Sequence, residues 1–105
     1  MSITTHVLDT ARGLPAFGVN VLLTDPAGDA VAAITDLDGR ASLAETPLLV
    51  GNYQLVFATA EYFALTKART FYPEITVAFT VVDGAAHHHV PLLISPYAYS
   101  TYRGS

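Results

Sequence analysis

Residues 87–95 read His-His-His-Val-Pro-Leu-Leu-Ile-Ser, a run with the alternation of a β-strand. Successive strand side chains point to opposite faces. His88, Val90, Leu92 and Ile94 therefore share one face, and His87, His89, Pro91 and Leu93 share the other. The first set is an apolar stripe suited to one wall of a two-sheet core, with His88 at its rim. The second begins polar and contains Pro91, which lacks a ladder donor and so predicts an edge strand or a bulge. The three histidines cannot act as a unit from one regular strand; only His87 and His89 can cooperate, about 7 Å apart.

The same alternation recurs along the chain. Near the start, Thr4, His6 and Leu8 take one parity and Thr5, Val7 and Asp9 the other. Further strands are predicted over 19–25, 30–36, 53–59 and 74–82, with Tyr53, Leu55 and Phe57 on one face and Ile75, Val77, Phe79 and Val81 on another. Turn chemistry separates them at 25–29 (Asp-Pro-Ala-Gly-Asp), 37–40 (Leu-Asp-Gly-Arg) and 83–86 (Asp-Gly-Ala-Ala). Gly39 suits a positive φ in the second of these. Only 60–68, rich in Ala, Glu and Leu, reads as a helix, of about two turns. Some seven or eight short strands with turn-marked spacing and one short helix predict an all-β protein, an antiparallel β-sandwich with Greek-key connections.

A chain of 105 residues is expected to form a single domain, 1–105. With 51% apolar and 13% charged residues and a mean hydropathy of +0.39, a monomer of this size should expose apolar patches of the kind used as interfaces. No apolar run approaches the roughly 20 residues that span a bilayer. The opening residues lack a basic segment followed by an apolar one. With no cysteine for disulfides or thiolate chemistry, a cytoplasmic location without membrane attachment is expected. A net charge of −4 with five Lys and Arg argues against nucleic-acid binding.

Taken alone, the candidate chemical groups remain open. His87 and His89 could share a zinc ion given a third ligand, but there is no Cys and no His-Glu-x-x-His pattern, and Asp36, Asp38 and Asp83 sit in turn-like sequence. No metal is expected. Ser95 and Ser100 have no adjacent base, which disfavours a serine nucleophile. Asp9 and Arg12 read as a surface ion pair of little energetic worth. Arg40 by itself would pass for an ordinary hairpin arginine.

Three separated segments decide among these readings. Thr-His-Val-Leu-Asp-Thr-Ala-Arg-Gly-Leu-Pro-Ala (5–16), Thr-Asp-Leu-Asp-Gly-Arg (35–40) and the stretch 87–105 ending in Tyr-Arg-Gly-Ser together resemble the 5-hydroxyisourate hydrolases, transthyretin-like enzymes of urate degradation. The likeness runs from Ile3 to Ser105, and the terminal Tyr-Arg-Gly-Ser is its most specific part, a motif that transthyretin itself lacks. The resemblance implies a transthyretin-like sandwich that pairs into dimers, with two dimers forming a homotetramer and active sites where the dimers meet. It implies hydrolysis of 5-hydroxyisourate to 2-oxo-4-hydroxy-4-carboxy-5-ureidoimidazoline without a cofactor. His6, Arg40 and His89 would be catalytic and would bind substrate together with Tyr102, Arg103, Gly104 and Ser105. His87 would belong to an outer part of the site. His88 departs from the family, where an aromatic residue is usual, and its core-facing parity marks it as a packing substitution. The alternative is a transthyretin-type carrier that holds a small ligand without transforming it.

Such a reaction needs an activated water, a stabilised oxyanion and a proton for the departing nitrogen. Histidine, with an ordinary pKa near 6.5, can move that proton at neutral pH. Arg40 offers a permanently charged donor fork for the oxyanion. His6 and His89 would project from one sheet surface if the first and last strands are neighbours.

Overall fold

The structure, a computed structural model, describes residues 3–105. These form strands β1 (Ile3–Asp9), β2 (Leu14–Pro15), β3 (Asn20–Thr24), β4 (Ala30–Ile34), β5 (Arg40–Ala44) and β6 (Gly51–Phe57). The helix α1 (Thr59–Leu65) follows, then β7 (Ile75–Val81), β8 (His88–Ser95) and β9 (Ala98–Thr101). The helix and six of the strands fall where the alternation predicts them. The two-residue β2, the short β5 and the exposed β9 do not appear in that reading.

One sheet runs β4-β3-β6-β7 and is antiparallel throughout. The other runs β2-β1-β8-β9, with β5 sharing one edge of β1 with β2: β5 covers Ile3–His6 and β2 covers Leu8 and Asp9. The opposite edge of β1 pairs with β8 in parallel, from Ile3 opposite His88 to Asp9 opposite Ile94. The sandwich is thus antiparallel except at this junction. β3 and β6 are neighbours although β4 and β5 lie between them in sequence, and β5 has crossed to the other sheet. That crossover is of the Greek-key kind.

The inner faces meet in one core. Ile3, Val7, Val90, Leu92 and Ile94 from one sheet pack towards Val21, Leu55, Phe57 and Val81 from the other, all at most 7% exposed. Each such side chain contributes about 1.5–3 kcal/mol through burial. α1 closes one end by burying Tyr62 and Phe63. Asp9, on the inward parity, is buried as well. Its Oδ2 accepts the Tyr62 hydroxyl at 2.7 Å, and its Oδ1 accepts the backbone N–H groups of Ala11 and Arg12, each at 3.1 Å. Asp9 is therefore a core anchor for the loop that follows it and not half of a surface ion pair, because a buried carboxylate must have its lone pairs satisfied.

Pro91 also departs from expectation. It lies in an interior strand, flanked by β1 and β9, and it is buried. Orientation explains the tolerance. The Val90 and Ile94 carbonyls face β1, accepting from Thr5 and Thr10, whereas the His89 carbonyl faces the tail and accepts from Gly104 N–H. Alternation turns the Pro91 nitrogen to the β9 side as well, and there the regular ladder ends at Thr101. The missing N–H costs the β1–β8 junction nothing.

Candidate active site

The outward face of the β5-β1-β8 sheet gathers the polar side chains. Register places Arg40 of β5 opposite His6 of β1, so their Cβ atoms lie about 5 Å apart. Thr4, one step along β1, is opposite Ser42 on one side and His89 on the other. His6 and His89 are therefore diagonal neighbours on one surface. Parity alone predicts that common face once β1 and β8 are adjacent.

Arg40 is placed by its turn. Asp36 Oδ1 accepts the N–H of Asp38 at 2.9 Å and of Arg40 at 3.0 Å, while Asp36 N–H donates to the Arg40 carbonyl. Gly39 closes the turn at φ +76° and donates to the Asp36 carbonyl. A Cβ here would collide with the Val7 carbonyl oxygen. Buried Thr35 ties the same loop down, its hydroxyl donating to Ala16 O and accepting Val19 N–H.

A cavity of about 290 Å³ opens on this face, lined by Thr4, Asp36, Arg40, Ser42, His87, His89 and Ser105, among others. His6 lies beside it, one row towards Leu8, and is not part of the lining. Thr4 Oγ1 sits 2.8 Å from His89 Nδ1 and 3.4 Å from His87 Nε2. The His87 and His89 rings stack with centroids 6.3 Å apart. Partial burial pushes the His89 imidazole below the ordinary histidine pKa, and the Arg40 guanidinium and the nearby His87 and His6 side chains act in the same direction. The lowered value favours the neutral imidazole at pH 7.

The tail reaches the site through Gly104, whose N–H donates to the His89 carbonyl at 2.8 Å. A Cβ on Gly104 would stand 2.5 Å from His89 Cδ2 and 3.1 Å from Pro91 Cγ. Only glycine lets the backbone lie against that ring. Ser105 then enters the cavity. Tyr102 and Arg103 instead line a second cavity of about 220 Å³ beside β7, shared with His88 and His89. Arg103 Nη2 reaches the His87 carbonyl at 3.5 Å. Of the seven residues expected to bind substrate, the single chain thus brings Arg40, His89 and Ser105 to one cavity. Gly104 holds its rim, His6 stands beside it, and Tyr102 and Arg103 lie behind it.

His88 points inward, as its parity predicts, with 5% exposure; its Nδ1 lies 3.0 Å from Ala86 O and its ring beside Phe79. Thr4, Asp36 and Ser42 belong to the cavity although sequence does not single them out for chemistry. The only signal for Thr4 and Ser42 is parity with His6 and Arg40, and Asp36 enters through the turn it builds before Arg40. Among the described residues, no group of three His, Cys, Asp or Glu side chains is placed to hold a metal ion. Likewise, no helix of the described residues is long and apolar enough to cross a membrane.

Two packed sheets carrying histidines and an arginine over a small open cleft define a sandwich-scaffold protein with the equipment of a hydrolase or a small-ligand binder. Its family follows from comparison: residues 3–104 match the HIUase/Transthyretin family, and the chain belongs to it. It is 48% identical to the 5-hydroxyisourate hydrolase of Deinococcus radiodurans, over 98% of this chain and 95% of that one. Among solved structures it superimposes on Klebsiella pneumoniae 5-hydroxyisourate hydrolase with a TM-score of 0.88 and 34% identity, covering 99% of this chain and 93% of the other. Sea bream transthyretin in complex with thyroxine superimposes with a TM-score of 0.89 over 99% and 95% of the two chains; at 24% identity this likeness concerns the fold.

Proposed function

We propose that the protein hydrolyses 5-hydroxyisourate to 2-oxo-4-hydroxy-4-carboxy-5-ureidoimidazoline in urate degradation. The observation that carries this reading is the convergence of His89, Arg40 and Ser105 on one small cavity, with His6 paired to Arg40, in a chain 48% identical to a hydrolase of that name. At about 290 Å³, the space falls just under the range of roughly 300–1,000 Å³ typical of drug-sized ligands and suits a small polar heterocycle.

In this mechanism His89 takes a proton from water as the water oxygen attacks the cyclic amide carbonyl. The guanidinium of Arg40 stabilises the oxyanion that forms. When the oxyanion collapses the ring C–N bond breaks, and the proton held by the histidine system passes to the departing nitrogen. His6, beside Arg40, orients the heterocycle and shares that proton transfer. Ser105 and the Gly104 backbone wall the cavity. His87 forms its outer edge.

We further infer a homotetramer, built as a dimer of dimers, in which the outward face of β1 and β8 is covered by a second dimer. Leu8 and Leu93, half-buried beside the histidines, suit such a contact. Tyr102 and Arg103 would then complete the substrate site within the assembled cleft. A cytoplasmic setting agrees with the cysteine-free composition.

The test is direct. 5-Hydroxyisourate generated from urate by a urate oxidase is followed by its ultraviolet absorbance with and without the protein. Acceleration is expected, with a loss of about 10²- to 10⁴-fold for His89→Ala and for His6→Ala. Decay at the spontaneous rate in the presence of the intact protein would instead favour a carrier.

A further inference from the structure

Thr4 has no role in the mechanism above, yet its hydroxyl touches both outward-facing histidines of the terminal segment. It lies 2.8 Å from Nδ1 of His89 and 3.4 Å from Nε2 of His87. Three features make the arrangement specific. The β1–β8 register sets Thr4 directly opposite His89. The two rings are within 13° of parallel, so their nitrogens approach the hydroxyl from one side of the sheet. Finally, a hydroxyl can donate one hydrogen bond while accepting another, which is what a group between two imidazoles must do to serve both.

We propose that Thr4 is a positioning residue that fixes the tautomer of His89 and joins it to His87 in a proton relay. The inference rests on His89 being the base of the proposed hydrolysis. A base that meets water at Nε2 needs its resting proton on Nδ1. The Thr4 oxygen accepts that Nδ1–H, and the threonine's own proton then points to Nε2 of His87. When His89 Nε2 takes a proton from the attacking water, the Nδ1 proton moves to Thr4 Oγ1 and the threonine proton moves to His87. One proton enters at His89 and one arrives at His87; Thr4 ends with the hydroxyl it began with, and the reverse sequence restores the proton for the departing nitrogen. His87 is exposed, so it can also exchange that proton with solvent.

The surroundings favour moving charge outward. Arg40 and Asp36 line the cavity from the β5 side and its preceding turn, His6 faces the group from β1, and Arg103 approaches from the tail through the His87 carbonyl. An imidazolium at His89 would sit partly buried beside Arg40. The relay places the charge on the exposed ring instead, where solvent screens it.

The experiment compares Thr4→Val, Thr4→Ser, His87→Ala and the Thr4→Val/His87→Ala double variant in the intact protein. Turnover of 5-hydroxyisourate is measured together with the ¹⁵N chemical shifts of the His89 ring. Thr4→Val keeps the β-branched shape of a strand residue, and an unchanged thermal unfolding curve checks its fold. It should lower kcat about ten- to a hundredfold, the size typical of losing a group that orients an imidazole, with KM nearly constant. Thr4→Ser should restore most of the rate. The double variant should be no slower than Thr4→Val, since residues acting in series do not add. The His89 ring should hold its proton on Nδ1 in the parent and become a tautomer mixture in Thr4→Val. A parent ring protonated on Nε2, a Thr4→Val rate within twofold of the parent, or additive losses would each overturn the relay. His89→Ala separates the two levels. If it is inactive while Thr4→Val is not impaired, the relay fails and the hydrolase site stands; if it is fully active, the site reading itself fails.

Discussion

Partial burial, the Arg40 guanidinium and the neighbouring His87 and His6 rings make the His89 imidazole harder to protonate than a free histidine; a hydrogen bond to the Thr4 backbone acts in the other direction. The folded-state pKa is thus below the ordinary 6.5. Its neutral form, and the stability linked to keeping that form folded, is fully present above pH 6.5 and is lost as pH falls through the lowered value. The acid limb of the kcat/KM profile is accordingly expected below 6.5. Arg40→Gln removes a nearby positive charge, so it should raise the His89 pKa, measured by ring-proton NMR titration. A downward or absent shift would show that Arg40 does not act on this imidazole. At this scale the sequence was informative wherever a residue type carries chemistry by itself. Counting parity could put His6 and His89 on one face once their strands are neighbours, whereas Arg40 opens a strand that the alternation did not mark. Thr4 could not be singled out, because an outward strand threonine is commonplace until the atom opposite it is known. Asp9 misled for the complementary reason: its charge suggests the surface, whereas the Ala11 and Arg12 N–H groups and the hydroxyl of Tyr62, 53 positions away, together account for its burial.

Among the elements, those with a buried face could be read and those without one could not. β6, β7 and β8 advertise themselves by alternating large apolar side chains. β9 is exposed at every position, so nothing in its pattern marks a strand. β5 follows its turn at once and buries only Ala41 and Leu43. Period-two alternation is the same in parallel and antiparallel pairs, so the direction of the β1–β8 pairing was hidden as well. The tail beyond β9 is a separate matter. It is joined to β8 by the Gly104–His89 bridge, past the place where Pro91 interrupts the ladder. Gly104→Val would drive a side chain into the His89 ring and the Pro91 edge. It should displace Ser105 and cut turnover at least tenfold while leaving the thermal unfolding midpoint within a few degrees, since the core is untouched. An equal loss of fold and rate would mean that the tail is part of the sandwich's stability.

For the whole molecule, the unresolved tension of the composition is visible on the surface. Val82, just past β7, and Tyr99 in β9 are 78% and 43% exposed at the free edges of the two sheets, where unpaired strands invite another chain. Sedimentation equilibrium should give a mass near four times the 11.2 kDa chain, and turnover per chain should fall on dilution into the range where that species dissociates. Full activity in a stable monomer would remove the need for a shared cleft.

The parallel pairing of β1 with β8 has a temporal consequence. Thr4 and His89 are 85 positions apart, so their contact closes almost the longest loop this chain can make. Contacts of such separation form slowly, because the entropy of closure comes before any reward. During synthesis β1 leaves the ribosome early and has to wait for nearly all the rest before its partner exists. Catalytic competence would therefore be the last property acquired, and turnover regained during refolding should report completion of the native topology more faithfully than recovered strand content does.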